Sequence, residues 1–352
     1  MTSEEAVEPT VARGRRRGMP APTIYDVARL AGVNPSTVSR ALNKPGRINV
    51  KTEQRIQAAA KELNYRLNPM ARALPTGRAN TIGLMLADIT NPMFFKIVRG
   101  AEKAARERGY TLILAESQES GIREAEGADR LAPSVDALVL VATRLADDQI
   151  RELADWKPLV VVNREVGEVD GIVPEVEPGV DEALAHLAAL GHTSVAYVSG
   201  PSGSWMNRAR WNAILERAPA LGMTIVEIAS DAPTLDGGRD AMKRVLASGA
   251  TAVFAYNDLM AIGLMREVQA NGIDVPGRLS IIGFDDIFGS DFTSPQLTTI
   301  RAPLGLMGEQ AVRRALDLID SDSPATAATP TEASLSTELV VRGSTGPVKP
   351  AA

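Results

Sequence analysis

Apolar positions recur along this chain with two different periods, and the change between them divides it. From Thr23 to Leu63 the spacing is helical. Ile24, Val27, Ala28 and Ala31 stand at i, i+3, i+4 and i+7, which predicts a helix with one apolar face. Thr23 ahead of it and Asp26 three residues on form a capping-box variant. Gly32 ends the helix where left-handed backbone costs least. Asn34 caps a second helix with Pro35 at its first position, where a missing N–H is harmless. Val38, Ala41 and Leu42 point inward and leave Ser36, Ser39 and Arg40 outward. Asn49 opens a third helix, whose Ile56, Ala59, Ala60 and Leu63 close a small core. A glycine turn between two short helices, the second presenting small polar groups and an arginine, describes a helix-turn-helix. Its second helix is built to lie in a DNA major groove.

From residue 81 the pattern becomes short apolar runs alternating with helical stretches. Strand candidates include 81–86, 111–114, 137–141, 159–162, 194–198, 224–228, 252–255 and 279–284. Ala- and Leu-rich helices are expected at 93–108, 178–190, 235–247 and 258–271. Repeating βα units mean parallel sheets covered by helices on both faces. Some nine strands in this stretch overfill one doubly wound sheet, so two similar lobes are expected. Residues 321–332, rich in Ser, Thr, Ala and Pro, read as a loose linker, and 344–352 as a tail.

Charge reinforces the division. Residues 1–78 hold 14 Lys/Arg against 6 Asp/Glu, whereas the net charge of the whole chain is −5. A basic head on an acidic body suits DNA binding, because phosphate neutralisation supplies most non-specific affinity. Residues 1–22 carry Arg13, Arg15, Arg16 and Arg17 without an apolar stretch, which reads as a disordered basic arm rather than a secretory signal. No apolar run approaches the 18 or so residues of a membrane span. With 0 Cys and 2 His, disulfides, thiolate chemistry and a histidine-built metal site are not expected. The expectation is a cytoplasmic protein with no cofactor.

Specific words now align. Tyr25-Asp26-Val27-Ala28, Ala31-Gly32-Val33, Thr37-Val38-Ser39-Arg40, Leu63-Asn64-Tyr65, and Asn68-Pro69 leading to Ala71-Arg72 and Leu74 resemble the LacI family of bacterial transcription regulators. The resemblance extends to about residue 343. It implies a small all-α head at 23–66, a hinge helix and linker at 67–80, and an α/β body of two doubly wound lobes like the periplasmic binding proteins. The lobes would comprise 81–174 plus 303–330 and 175–302 plus 331–343, with crossings near Pro174–Pro178, Thr299–Pro303 and Thr331–Ser336. By position, Pro35, Ser36 and Arg40 would read base edges. Arg40 has the strongest physical case, since a guanidinium pairs bidentately with guanine; a phosphate contact is its alternative. Thr23, Tyr25, Thr37, Ser39 and Asn43 would contact the DNA backbone. Thr37 and Ser39 alternatively do no more than face solvent. Ala71, Arg72 and Leu74 would enter the minor groove, Leu74 as an apolar wedge unless it packs on its own lobe. Pro75 disfavours α geometry at Leu74, so the hinge helix should end there. A near-palindromic double-stranded operator and a homodimer follow from two-fold symmetry.

In the body, the resemblance places effector contacts at Phe95, Asn163, Arg208, Asn257 and Asp285. Phe95 would stack on a sugar face or serve the core, and Asp258 would cap or open a helix. His192 reads as structural. Asn163-Arg164 and Glu175-Val176 depart from the Asp-Arg and Asp-Asn pairs common in the family, so the sugar's identity cannot be borrowed. No Gly-x4-Gly-Lys-Ser/Thr, Gly-x-Ser-x-Gly or His–carboxylate constellation suggests catalysis. The reading is a regulator, expected to be a repressor, controlled by a small molecule that is expected to be a sugar. The alternatives are a sugar- or nucleobase-binding protein without a DNA role, or a regulator with a purine-type corepressor.

Overall fold

The computed structural model describes residues 22–43, 46–65, 78–321 and 334–348. The chain forms two compact units, Met1–Gly77 and Arg78–Ala352. In the first, three helices, α1 (Ile24–Ala31), α2 (Pro35–Asn43) and α3 (Val50–Glu62), surround a core centred on Val27, Val38 and Ile56. The Asp26 carboxylate accepts from the Thr23 amide at 2.9 Å and the Thr23 hydroxyl at 2.7 Å, which fixes the entry to α1. Gly32, at φ 64°, turns the chain toward α2. The Asn34 carbonyl accepts from Thr37 and Val38, and the Asn49 side chain caps α3 through the Lys51 amide.

The second unit holds two sheets. The first has the order β2-β1-β3-β4-β5, all parallel: β1 Thr81–Leu86, β2 Thr111–Glu116, β3 Ala137–Val141, β4 Leu159–Val162 and β5 Asp170–Ile172. Helices α4 (Met93–Glu107) and α11 (Leu304–Asp320) cover one face, while α5 (Gly121–Leu131) and α6 (Asp147–Trp156) cover the other. α4 and α11 approach unusually closely. A Cβ on Gly100 would lie 1.9 Å from the Gly305 carbonyl oxygen, so only glycine permits this crossing.

The other sheet has the order β11-β10-β9-β8-β6-β7, with β6 Ser194–Val198, β7 Thr224–Ile228, β8 Ala252–Ala255, β9 Ser280–Phe284, β10 Thr298–Arg301 and β11 Glu338–Val340. Only β11 runs antiparallel to its neighbour. Helices α7 (Glu177–Ala189), α8 (Trp205–Arg217), α9 (Leu235–Ala247) and α10 (Asp258–Ala270) complete this lobe. The chain passes between sheets after β5, returns after β10 into α11, and passes again before β11. Two of these connections lie side by side, where Glu175 bridges Ser336.

Three short strands, β5, β10 and β11, escape the sequence pattern because, unlike the similarly short β4 and β8, they carry no continuous apolar run. The expected tail needs correction over 344–348. Ser344 is fully buried, its hydroxyl joining the Thr298 amide and the Ile281 carbonyl, and Val348 bonds to Leu190. These residues are part of the C-terminal lobe, held by backbone pairing that composition does not reveal. Most of the expected linker, 322–332, lies outside the described residues.

Candidate functional site

Burial of Val38 and Ala41 turns Ser36 and Arg40, one helical turn apart, to the exposed side of α2. Pro35, Thr37 and Ser39 are half-buried beside them. Arg40 makes no ion pair with any described residue, whereas Arg29 on α1 pairs with Asp26 at 3.0 Å. Tyr25 is 67% exposed, and the Thr23 hydroxyl is engaged by Asp26. Asn43 ends α2; its side chain lies outside the described residues, as do Ala71, Arg72 and Leu74.

In the second unit a cleft opens between the lobes at the carboxyl ends of the strands, where open α/β sheets place their ligands. Its lining includes Asn91, Phe94, Glu119, Arg144 and Asn163 from the N-terminal lobe, and Met206, Arg210, Tyr256, Asn257 and Asp285 from the C-terminal lobe. Left-handed backbone concentrates there. Glu119 (φ 58°), Ala142 (φ 56°), Asn163 (φ 64°) and Asp285 (φ 99°) each follow a strand end. Non-glycine residues are held in such conformations at a cost of order 1–3 kcal/mol each, and clusters of them mark functional sites.

Arg210 is the group most enclosed by partners in the cleft. Ser204 caps α8 by accepting from Asn207, and counting turns from that cap puts Met206, Asn207 and Arg210 on the inward face. The Arg210 guanidinium lies 5.1 Å from the Tyr256 ring centroid and 4.5 Å from that of Phe284. It donates to the Tyr256 carbonyl and, at 2.5 Å, to Asp285 Oδ1. Burial opposes its charge, but Asp285 and the neighbouring tyrosines hold its pKa above the ordinary arginine value. Arg210 Nε and Asp285 Oδ2 are buried without a partner among the described residues. One donor and one acceptor thus remain unpartnered in two residues that line the cleft. Gly200 permits this arrangement: a Cβ there would meet the Tyr256 ring at 2.4 Å.

The N-terminal lobe supplies a second pair. Arg144 Nε donates to Glu119 Oε2 at 2.8 Å and its Nη1 to the Ala142 carbonyl at 2.9 Å. Burial pushes the Glu119 carboxyl up, and Arg144 offsets this only in part. Behind the cleft, burial pushes Asp258 well above the usual carboxylate range, against the hydrogen bonds it accepts from Thr299 and Ile287. Asp286 shows the opposite balance, since Arg342 and Arg301 outweigh its burial and hold its pKa down. The lobes touch beside it: Lys96 of α4 donates to the Asp286 carbonyl at 2.8 Å, and Ile287 is buried in the N-terminal lobe's core. The free space at the centre of the cleft is about 20 Å³, roughly one water. A sugar-sized ligand therefore requires the lobes to part or side chains to swing.

Two expected effector residues need correction. Arg208 is exposed; two residues from Arg210 is about 200° around a helix, so the two arginines face opposite ways. Phe95 is 50% exposed, and Phe94, 2% exposed, lines the cleft instead. Asn163, Asn257 and Asp285 lie among the cleft residues. Asn257 also caps α10, accepting from Met260 and donating to the Pro233 carbonyl. Asp258 sits in the first turn of that helix. His192 is held by Thr251 and the Gly346 carbonyl, away from the cleft. Among the described residues, no group of His, Asp and Glu is arranged to hold a metal, and no helix is long and apolar enough to cross a membrane.

Residues 23–68 match the family of bacterial regulatory proteins of the lacI type, and residues 184–345 match the periplasmic binding protein-like domain. The transcriptional regulator GalR of Escherichia coli K12 is 34% identical over 309 residues, 85% of this chain and 90% of its own length. The ribose operon repressor of the same organism is 34% identical over 304 residues, 82% of this chain and 91% of its own. The chain belongs to the LacI family. A crystal structure of the lac repressor dimer, bound to operator and the anti-inducer ONPF, matches with a TM-score of 0.82 and 26% identity. It covers 93% of this LacI-family chain and all of the repressor chain. The family's head and two-lobed body are therefore both present here. Sequence reasoning missed Arg210, Arg144, Glu119, Phe94 and Tyr256; for Arg210, the count from the Ser204 cap was the available signal.

Proposed function

We propose that this LacI-family protein is a transcriptional repressor that binds a near-palindromic operator as a dimer and responds to a sugar or related polyol in the cleft. The observation that carries the effector reading is the buried Arg210–Asp285 pair, which leaves one donor and one acceptor to a ligand. Adjacent hydroxyls of a polyol both donate and accept, so they satisfy both atoms at once, with charge-assisted bonds about twice as strong as neutral ones. The repressor's curated relatives include one named for a ribose operon, consistent with that chemistry. Ligand contacts on both lobes would bias their closure, and effector and operator affinities then shift each other reciprocally by typically 1–3 kcal/mol.

At the DNA end, Ser36 and Arg40 are offered to base edges, with Pro35 limited to apolar contact. Thr23, Tyr25, Thr37, Ser39 and Asn43 position the backbone, and Ala71, Arg72 and Leu74 act in the minor groove. The repressor works in the cytoplasm and is not an enzyme. The test is an operator titration of the full chain over a salt series, with and without ribose, galactose and related sugars. Binding should weaken with a log–log slope of about −0.9 per phosphate contacted, and one sugar should shift it. Arg40→Ala should flatten preference at one base pair per half-site, by about 1–3 kcal/mol. Salt-independent binding, or a monomer on the operator, would refute the reading.

A further inference from the structure

The outer face of the N-terminal lobe carries a groove that the cleft does not use. It lies between α5 and α6 and encloses about 280 Å³, close to the lower end of small-molecule sites. One face of α6 makes most of its wall, because Gln149, Glu152, Leu153 and Trp156 stand at i, i+3, i+4 and i+7. Half-buried Leu153 supplies apolar surface, with the buried Leu145 at the floor, and Asp129 of α5 lines the groove from the other side. Trp156 is 56% exposed, a large aromatic area for a residue that makes no core. Asp129 and Glu152 form no ion pair or hydrogen bond with any described residue. Their neighbours are paired elsewhere on the surface, Arg130 with Glu126 and Arg151 with Asp148.

We propose that this groove is a second ligand site, for a small organic cation with an apolar body, such as a quaternary or protonated amine. An indole face attracts a cation, and apolar walls favour the alkyl part over a hydrated metal ion. Two uncommitted carboxylates supply the counter-charge without first breaking an existing pair. Trp156 already meets a cation of the chain itself: Lys157 Nζ stands 5.8 Å from the ring centroid while it donates to the Val135 carbonyl. The groove is separate from the cleft but shares the β3–α6 connection with it, since Arg144 lines the cleft and Leu145 lines the groove.

The experiment titrates the full chain with choline at constant ionic strength, beside 3,3-dimethyl-1-butanol, the neutral analogue of the same shape. Binding is read by calorimetry and by the change in Trp156 emission, isolated by subtracting the Trp156→Phe signal. Choline should saturate, and the neutral analogue should bind about tenfold more weakly. The Asp129→Asn/Glu152→Gln variant should lose a similar factor, and both substitutions are isosteric on exposed helix faces. Arg210→Lys in the cleft should leave choline affinity unchanged. Equal affinity for the neutral analogue, undiminished binding to the double variant, or a non-saturating response into the tens of millimolar would overturn the site.

Discussion

Arg210 with Asp285 and Arg144 with Glu119 bring the same pairing to one cleft from different depths. In the C-terminal lobe the two side chains are 6% and 2% exposed, and two aromatic rings enclose the guanidinium. In the N-terminal lobe they are 10% and 28% exposed, and the carboxylate sits on a loop after β2. A deep pair exchanges solvation for mutual attraction, so removing either partner strands a charge. A shallower pair leaves its carboxylate partly open to water, which offsets part of the loss when its partner is removed. The deep pair is thus part of the C-terminal lobe's core as well as its ligand chemistry, whereas the shallow one can change with little cost to folding.

The largest effect expected is at Arg210. Arg210→Ala should cost about 3–5 kcal/mol, because Asp285 is then buried without a counter-charge. Urea unfolding read by Trp205 and Trp211, both on α8, reports this lobe. The same variant should lose effector response at concentrations where it remains folded. Arg144→Ala should cost only about 1 kcal/mol while still weakening effector binding. Equal losses of stability at the two sites would break the distinction drawn from burial.

Acidity sharpens the contrast next. Glu119 has a folded pKa raised above its ordinary value near 4.5, with burial the main cause. The folded state then holds a proton more tightly than the unfolded chain. The stability from that proton is fully present below the ordinary value and is lost as pH rises through the raised one. Glu119→Gln removes the group, so wild-type stability minus variant stability should fall across that window and then level. A difference that rises with pH would mean that Arg144, not burial, governs the carboxylate.

What the sequence disclosed follows the same division by depth. Helix periods and caps placed α1 to α3, because a three-helix core is encoded locally, in spacings of three and four residues. The two-lobed body was legible from alternating strand and helix patterns. The cleft was less so. Phe94 and Phe95 are adjacent and chemically identical, and only packing of α4 against the sheet decides which turns inward. Glu119 and Arg144 lie on separate loops that meet through folding alone. The ordered 344–348 segment depends on pairing with β9 and β10, far away in sequence.

The smallest effect expected is at Arg208, and it tests the cleft assignment most directly. Arg208 and Arg210 share a helix, a charge and a neighbourhood, so composition-level arguments cannot separate them. Arg208 is exposed, and none of the cleft residues contacts it through a hydrogen bond or ion pair. Surface substitutions without such partners usually change stability by less than about 0.5 kcal/mol. Arg208→Ala should therefore keep wild-type unfolding, operator affinity and effector response, where Arg210→Ala loses at least the last. The measurement is one operator titration series on three proteins, with and without the sugar that shifts the wild type. Should Arg208→Ala lose the response while Arg210→Ala keeps it, the helix presents its other face to the ligand, and the cleft residues are not the sensing site.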